Sequence, residues 1–276
     1  VSEARATLLH PRAVTLRGDG GLPISADVAT VGSGARFVFL HGLVGLNEHW
    51  EEVVSRVHHR LTCTTLEVPL LDLRGPDCSI QGVTELTLDF LRRFVGGRSV
   101  LVGNSFGGHV ALRIARYHPE LVRGLVLAGS SGLIERTMVK GAPVRPSKEW
   151  LEEKIGELFY DKARMSPADV ERAHRVLNEK GGARAMVKLS KTARRNYLGD
   201  ELEGVQCPTL LIWGKQDIVT PPSAAQGFMD LLPDARIRWI DRCGHAPMLE
   251  SPEVFAEAVL EFAAELDGLG DSGGRG

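Results

Sequence analysis

Ser99-Val100-Leu101-Val102-Gly103-Asn104-Ser105-Phe106-Gly107-Gly108-His109-Val110 holds the punctuation from which the architecture of this chain follows. Its first four residues read as a buried strand, and His109 to His118 reads as a helix stopped by Pro119. Ser105 therefore stands on a strand-to-helix corner, and Gly103-x-Ser105-x-Gly107 has the form of a nucleophile elbow. The glycines have a steric purpose, because side chains two residues either side of a serine on so tight a turn would collide with the crossing strand and helix. The helix that follows points its first N–H groups at the serine, where they favour a developing negative charge. Composition alone would produce the five-residue pattern in roughly one chain in ten of this length, so its placement between strand and helix is what makes it informative.

On either side of it, seven further short apolar runs read as strands: Ala13 to Arg17, Ile24 to Thr30, Arg36 to Leu40, Cys63 to Val68, Leu125 to Ala128, Thr209 to Trp213 and Ile237 to Ile240. Helical patterns separate most of them, including Gln81 to Val95 and an amphipathic last helix from Pro252 to Leu266. That alternation predicts an α/β fold with a mostly parallel eight-stranded sheet flanked by helices. The first two runs are joined through Gly18-Asp19-Gly20-Gly21, which predicts an antiparallel hairpin. Between Gly132 and Gly204 strands vanish and charged amphipathic helices take over, as expected of a helical cap inserted over the sheet edge. One of these helices is expected to begin at Ser147, with Trp150, Leu151, Ile155, Leu158 and Phe159 on one face. Another is expected at Ser166-Pro167-Ala168-Asp169, a cap residue followed by a first-turn proline. The expected organisation is a core in two parts, 1–132 and 205–267, a helical cap over 133–204, and a Gly-rich flexible tail over 268–276.

The 276 residues are 43% hydrophobic and 25% charged with a formal net charge of -2, a balance that excludes disordered and fibrous chains. It also offers no general attraction to nucleic-acid phosphates or to a membrane surface, and the pair Arg194-Arg195 is too short to change that. The four cysteines are scattered, with no ligand spacing to a histidine, and are expected to be reduced thiols that bind no metal. The first residues lack the apolar core of a signal peptide and no run approaches the length of a membrane span, so a cytoplasmic location is expected.

A serine hydroxyl is a poor nucleophile unless a base takes its proton, so a histidine elsewhere in the chain must serve it. His245, in Cys243-Gly244-His245-Ala246-Pro247, lies after the last strand on a loop able to reach the sheet's carboxyl edge. His109 and His118 fall on the helix after the serine and are expected to pack or lie on its surface, while His58 and His59 look like helix-end residues. The third partner should be a carboxylate that fixes the imidazole tautomer, and Asp217 follows the strand ending at Trp213 through Gly214-Lys215-Gln216. Its alternative role is to cap a turn; Glu135, after the preceding strand, is the reserve acid. The backbone N–H groups of Leu43 and Phe106 are the candidate donors to an oxyanion, and His41 is expected to brace the loop that carries Leu43. The chain order Ser105, Asp217, His245 places three roles at three strand ends.

These landmarks, His41-Gly42-Leu43-Val44-Gly45, Gly103-Asn104-Ser105-Phe106-Gly107-Gly108, Trp213-Gly214-Lys215-Gln216-Asp217 and Gly244-His245, make the chain resemble the capped α/β-hydrolase superfamily from about Ala13 to Leu266. The resemblance implies a cofactor-independent hydrolase acting on a small-molecule substrate, with an acyl-enzyme for ester substrates. Within the superfamily, Gly-Asn-Ser-Phe-Gly-Gly looks like the elbow of carbon–carbon hydrolases that split meta-cleavage products. Many of those carry Trp immediately after the catalytic His, whereas Ala246-Pro247 stands here. A serine rather than an aspartate at the nucleophile position argues against haloalkane dehalogenases. Carboxylesterases, acting on a small, apolar ester, are the leading class. A carbon–carbon hydrolase with the same triad and a ligand-binding receptor on a hydrolase scaffold are the alternatives.

Overall fold

Strands buried on both faces should show apolar residues at every position, sorted by the two-residue period onto opposite sides. The computed structural model, which describes residues 7–135 and 145–272, arranges the chain in that way. Eight strands, β1 (Arg12–Arg17), β2 (Pro23–Val31), β3 (Ala35–Leu40), β4 (Leu61–Glu67), β5 (Ser99–Asn104), β6 (Val122–Ala128), β7 (Thr209–Gly214) and β8 (Ala235–Ile240), form one sheet in the order β1-β2-β4-β3-β5-β6-β7-β8. β2 pairs antiparallel with β1 and β4, confirming the initial hairpin, and every other pairing is parallel. β5 is buried along its whole length.

The helices are α1 (Glu51–Val57), α2 (Ile80–Phe90), α3 (Phe106–Tyr117), α4 (Lys148–Gly156), α5 (Pro167–Asn178), α6 (Gly182–Arg195), α7 (Pro222–Leu231), α8 (Pro247–Glu250) and α9 (Pro252–Ser272). On one face of the sheet Val38, Leu40, Leu101, Leu127 and Trp213 join a core with Leu86 of α2, Val110 of α3 and Phe228 of α7. On the other, Phe37, Phe39, Val100, Val102 and Ile212 pack with Val54 of α1 and Phe255 and Phe262 of α9. Trp50, fully buried, lies between Phe39 and Phe255 with ring centroids 5.3 and 5.9 Å away. Each such large apolar side chain contributes about 1.5–3 kcal/mol by leaving water.

Boundaries differ from the expectation where local letters mislead. β6 begins at Val122 rather than Leu125, because Arg123 and Gly124 interrupt the apolar run without interrupting the strand. The α-helical part of the expected Gln81–Val95 helix stops at Phe90, and Leu91–Val95 form a π-helical turn. α9 runs on to Ser272, through the first part of the expected tail, and residues 273–276 of that tail lie outside the described residues.

Between β6 and β7 the described chain holds helices and no strand, and residues 136–144 of this insertion lie outside the described residues. The Ser147 hydroxyl accepts the Trp150 N–H at 3.2 Å and caps α4 as expected. Pro167 opens α5, but the Ser166 hydroxyl makes no capping bond there. Leu151 of α4 and Val170, Ala173 and Leu177 of α5 bury their apolar face together with Leu71 from the loop after β4. α6 also reaches α2, where the Ile80 N–H donates to Thr192 Oγ1 at 3.1 Å, and its Ala185, Leu189 and Ala193 join the core on that face of the sheet. Among the described residues no helix is long and apolar enough to cross a membrane.

Candidate active site

Open α/β sheets bind ligands beyond the carboxyl ends of their strands, where the connecting loops leave a crevice. Ser105 sits there, directly after β5, with φ 53° and ψ -118°, a left-handed conformation disfavoured for a side chain of L configuration. The elbow glycines explain how the chain tolerates it. A Cβ on Gly103 would lie 2.5 Å from the Gly108 Cα, and one on Gly107 would lie 2.4 Å from the Leu40 carbonyl oxygen. The collisions expected from the sequence are thus with α3 on one side and the end of β3 on the other. The strain, of order 1–3 kcal/mol, is held by backbone bonds: the Ser105 N–H donates to Ala128 at 3.1 Å, and the Ser105 carbonyl accepts from His109 and Ser131 at 3.2 and 3.1 Å.

Folding brings Asp217 and His245 together across 28 residues of chain, with His245 Nδ1 2.9 Å from Asp217 Oδ2. Both are buried, Asp217 at 2% and His245 at 6% exposure. The carboxylate is further fixed by the Val219 and Thr220 N–H groups on Oδ1, at 2.8 and 3.0 Å, and by the Thr220 hydroxyl on Oδ2 at 2.8 Å. With Nδ1–H donated to Asp217, the imidazole keeps Nε2 as its basic nitrogen. Burial opposes charge on this ring, but the charge and hydrogen bond of Asp217, with the charges of Glu135 and Glu250, outweigh it and raise the His245 pKa above the ordinary histidine value. Asn104 steadies the loop by donating from Nδ2 to the His245 carbonyl at 3.1 Å and to Ala128 at 3.0 Å.

Ser105, His245, Leu43 and Phe106 all line one cavity of about 220 Å³. Its roof comes from the insertion, with Trp150, Leu151 and Ile155 of α4 and Ala173 and Leu177 of α5, so its walls are chiefly apolar. His41 does not line it. Its Nδ1–H donates to the Gly42 carbonyl at 2.7 Å and its Nε2 accepts the Val68 N–H at 3.2 Å, which braces the Leu43 loop as expected. Burial lowers its pKa to about 4, so the ring is neutral. Glu135, the reserve acid, lines the cavity but accepts from the Ser131 hydroxyl at 2.5 Å while Asp217 holds the imidazole.

The remaining histidines divide as their positions suggest. His109 is fully buried with Nε2 3.1 Å from the Asn196 carbonyl, and burial lowers its pKa to about 3. His58 Nδ1 lies 3.1 Å from the Val54 carbonyl at the end of α1, and His118 caps α3. His49 is less easily placed from sequence. Its Nε2 is 3.1 Å from Asp169 Oδ1 on α5 while its Nδ1 accepts the Leu46 N–H at 3.3 Å. Glu48, His49 and Asp169 bring one ligand atom each within 4.8 Å of one another. Both ring nitrogens are already bonded, and the Arg172 guanidinium stands 3.7 Å from the same carboxylate, so the group forms a latch between insertion and core.

Asn104, Thr220 and Glu250 are not among the site residues expected from the sequence. Asn104 lies inside the elbow stretch and Thr220 three residues after Asp217, and these polar letters beside the nucleophile and the acid were the available signal. Glu250 offered none beyond a single acidic residue before the last helix.

The profile of the alpha/beta hydrolase family matches residues 37–258. The pimeloyl-[acyl-carrier protein] methyl ester esterase of Nitrosomonas europaea is 30% identical over 253 residues, which cover 84% of this chain and 96% of the esterase. The 2-hydroxy-6-oxo-6-(2'-aminophenyl)hexa-2,4-dienoic acid hydrolase of Metapseudomonas resinovorans is 31% identical over 182 residues, 63% of either chain. Among solved structures, a serine hydrolase involved in carbazole degradation superposes with a TM-score of 0.77 at 25% identity, covering 92% of this chain and 99% of that one.

Proposed function

The chain belongs to the alpha/beta hydrolase family, and on that premise we propose that it is a serine hydrolase cleaving a small carboxylic ester through an acyl-enzyme on Ser105. The observation that carries the reading is the buried Asp217–His245 pair, 2.9 Å apart, with its imidazole opening onto the same apolar cavity as a serine held in a strained elbow. Ser105 Oγ attacks the ester carbonyl carbon as His245 Nε2 takes the hydroxyl proton, and Asp217 stabilises the imidazolium that forms. The N–H groups of Leu43 and Phe106 meet the oxyanion, each worth about 3–4 kcal/mol in the transition state. Collapse breaks the ester C–O bond, the imidazolium protonates the leaving alcohol, and water repeats the sequence to free Ser105 and the acid. The insertion over 133–204 acts as the cap that excludes bulk water and supplies the apolar walls.

A second reading uses the same three residues to hydrolyse a carbon–carbon bond of a vinylogous diketo acid. It is favoured by the likeness of 63% of this chain to the Metapseudomonas hydrolase and by the sequence of the elbow. Ala246-Pro247, where many such enzymes carry Trp, stands against it. Comparing turnover of short p-nitrophenyl esters with turnover of a vinylogous diketo acid separates the two. Faster ester turnover is expected; turnover of the diketo acid alone would overturn the ester assignment. Sustained multiple turnover of either excludes a purely ligand-binding receptor.

A further inference from the structure

The loop that carries His245 is fastened to the insertion as well as to Asp217. The His245 N–H donates to the Leu158 carbonyl at 2.7 Å, two residues beyond the end of α4. Glu250, at the end of α8 and 8% exposed, completes the junction. Its Oε1 accepts the Gly244 N–H at 2.7 Å and lies 3.8 Å from the Cys243 thiol, and its Oε2 accepts the N–H groups of Tyr160 and Asp161 at 2.8 and 3.3 Å. One oxygen thus holds the residue before the base and the other holds the chain leaving α4.

A buried carboxylate is costly unless hydrogen bonds to its charge offset the lost hydration. The three N–H groups do so here, and none of them is engaged by the helix it adjoins. An apolar side chain at 250 would fill the volume more cheaply but would leave three donors unsatisfied. The arrangement therefore has a use beyond packing. We infer that Glu250 is a positioning residue, a carboxylate clip that ties the exit of α4 to the backbone beneath His245 so that the base is in register only when the insertion is seated. The inference rests on His245 being the base of the proposed reaction.

The clip also acts on the imidazole through its charge. The ring faces Asp217 from the loop after β7, Glu135 from the segment after β6 and Glu250 from α8, and all three negative charges favour the imidazolium. Burial pushes the Glu250 carboxyl up from its ordinary value, while its backbone donors pull it down. Neutralising this position without changing its shape should therefore move the ionisation of the base as well as loosen the junction, which a merely structural residue would not do.

The test compares the wild-type protein with Glu250→Gln, which keeps one acceptor oxygen, and with Glu250→Ala. Three readouts are taken: fluorophosphonate labelling of Ser105, the pH profile of kcat/KM on a p-nitrophenyl ester, and amide hydrogen exchange across 158–161 and 243–246. In Glu250→Gln the expected result is a fall in kcat of about tenfold with KM nearly unchanged, consistent with a misplaced base. The acid limb should move down by about half a pH unit, and the Tyr160 and Asp161 amides should exchange at least about tenfold faster. Glu250→Ala should exaggerate each change; if it fails to fold, Glu250→Gln alone decides. An unmoved acid limb or unmoved exchange in Glu250→Gln overturns the inference while wild-type labelling upholds the site. Absence of wild-type labelling at Ser105 overturns the site, and the role given to Glu250 with it.

Discussion

Ser105 is one of two described non-glycine residues with positive φ, and its strain has a measurable consequence. Ser105→Gly relieves it, so that variant should be more stable than Ser105→Ala by about 1 kcal/mol in denaturant, after the greater flexibility of glycine in the unfolded chain offsets part of the gain. Equal midpoints would show that the elbow is not strained. Either variant should lower kcat by on the order of a thousandfold or more while leaving far-ultraviolet circular dichroism unchanged. For the base, the expected kcat/KM profile rises with pH, since only the neutral imidazole accepts a proton. Because its neighbours raise the His245 pKa, the midpoint should lie above about 6.5. A flat profile from about pH 5 to 8 would remove His245 from the mechanism. The proposed triad residues Ser105, Asp217 and His245 stood out because each follows a strand, and strands announce themselves locally. Asn104 and Glu250 did not, because each acts through backbone groups on distant segments and no spacing in the chain encodes that pairing, whereas Thr220 bonds the Asp217 carboxylate from only three residues away.

Elements were legible wherever hydrophobic period and punctuation agreed, as in β3, β5 and β7. They were blurred where a polar letter sat inside a regular element, as Arg123 does in β6. The insertion shows the limit most clearly. Its amphipathic faces were visible in the sequence, but the latch of α5 onto the core was not. Asp169 meets His49, and the Arg172 guanidinium donates to the Val44 carbonyl, next to the proposed oxyanion donor Leu43. A hydrogen bond from a charged group is worth about 1.5–3 kcal/mol. Arg172→Ala should accordingly lower kcat by about tenfold, with KM changing less, as the Leu43 loop loses its brace. A rise in KM at constant kcat would instead assign Arg172 to substrate binding.

For the whole molecule, the two histidines buried neutral make stability depend on pH. His41 and His109 have pKa values lowered to about 4 and about 3, below the 6.5 of an unperturbed histidine. The unfolded chain therefore binds more protons between those values, and stability falls as pH drops below 6.5, by about 2 kcal/mol per histidine at about pH 5. His245 and Glu250, with raised pKa values, work in the opposite direction. A difference measurement isolates the effect: His109→Gln should lose about 2 kcal/mol less than the wild type between about pH 7 and 5 in urea unfolding. Equal losses would contradict it. The order of layers, the eight strands and the initial hairpin were readable from alternation and turn letters alone. The size of the cavity was not, because it is set by how α4 and α5 seat over the sheet edge, a sum of many weak apolar contacts that leaves no mark at any one position.

Activation of Ser105 as a nucleophile by the His245–Asp217 pair is tested by incubation with a fluorophosphonate followed by peptide mapping, in the wild type and in His245→Ala. The predicted result is a single adduct on Ser105 that forms with the loss of activity and slows by at least about a hundredfold without the imidazole. An adduct on another residue, or equal labelling of Ser105 in both proteins, would contradict it.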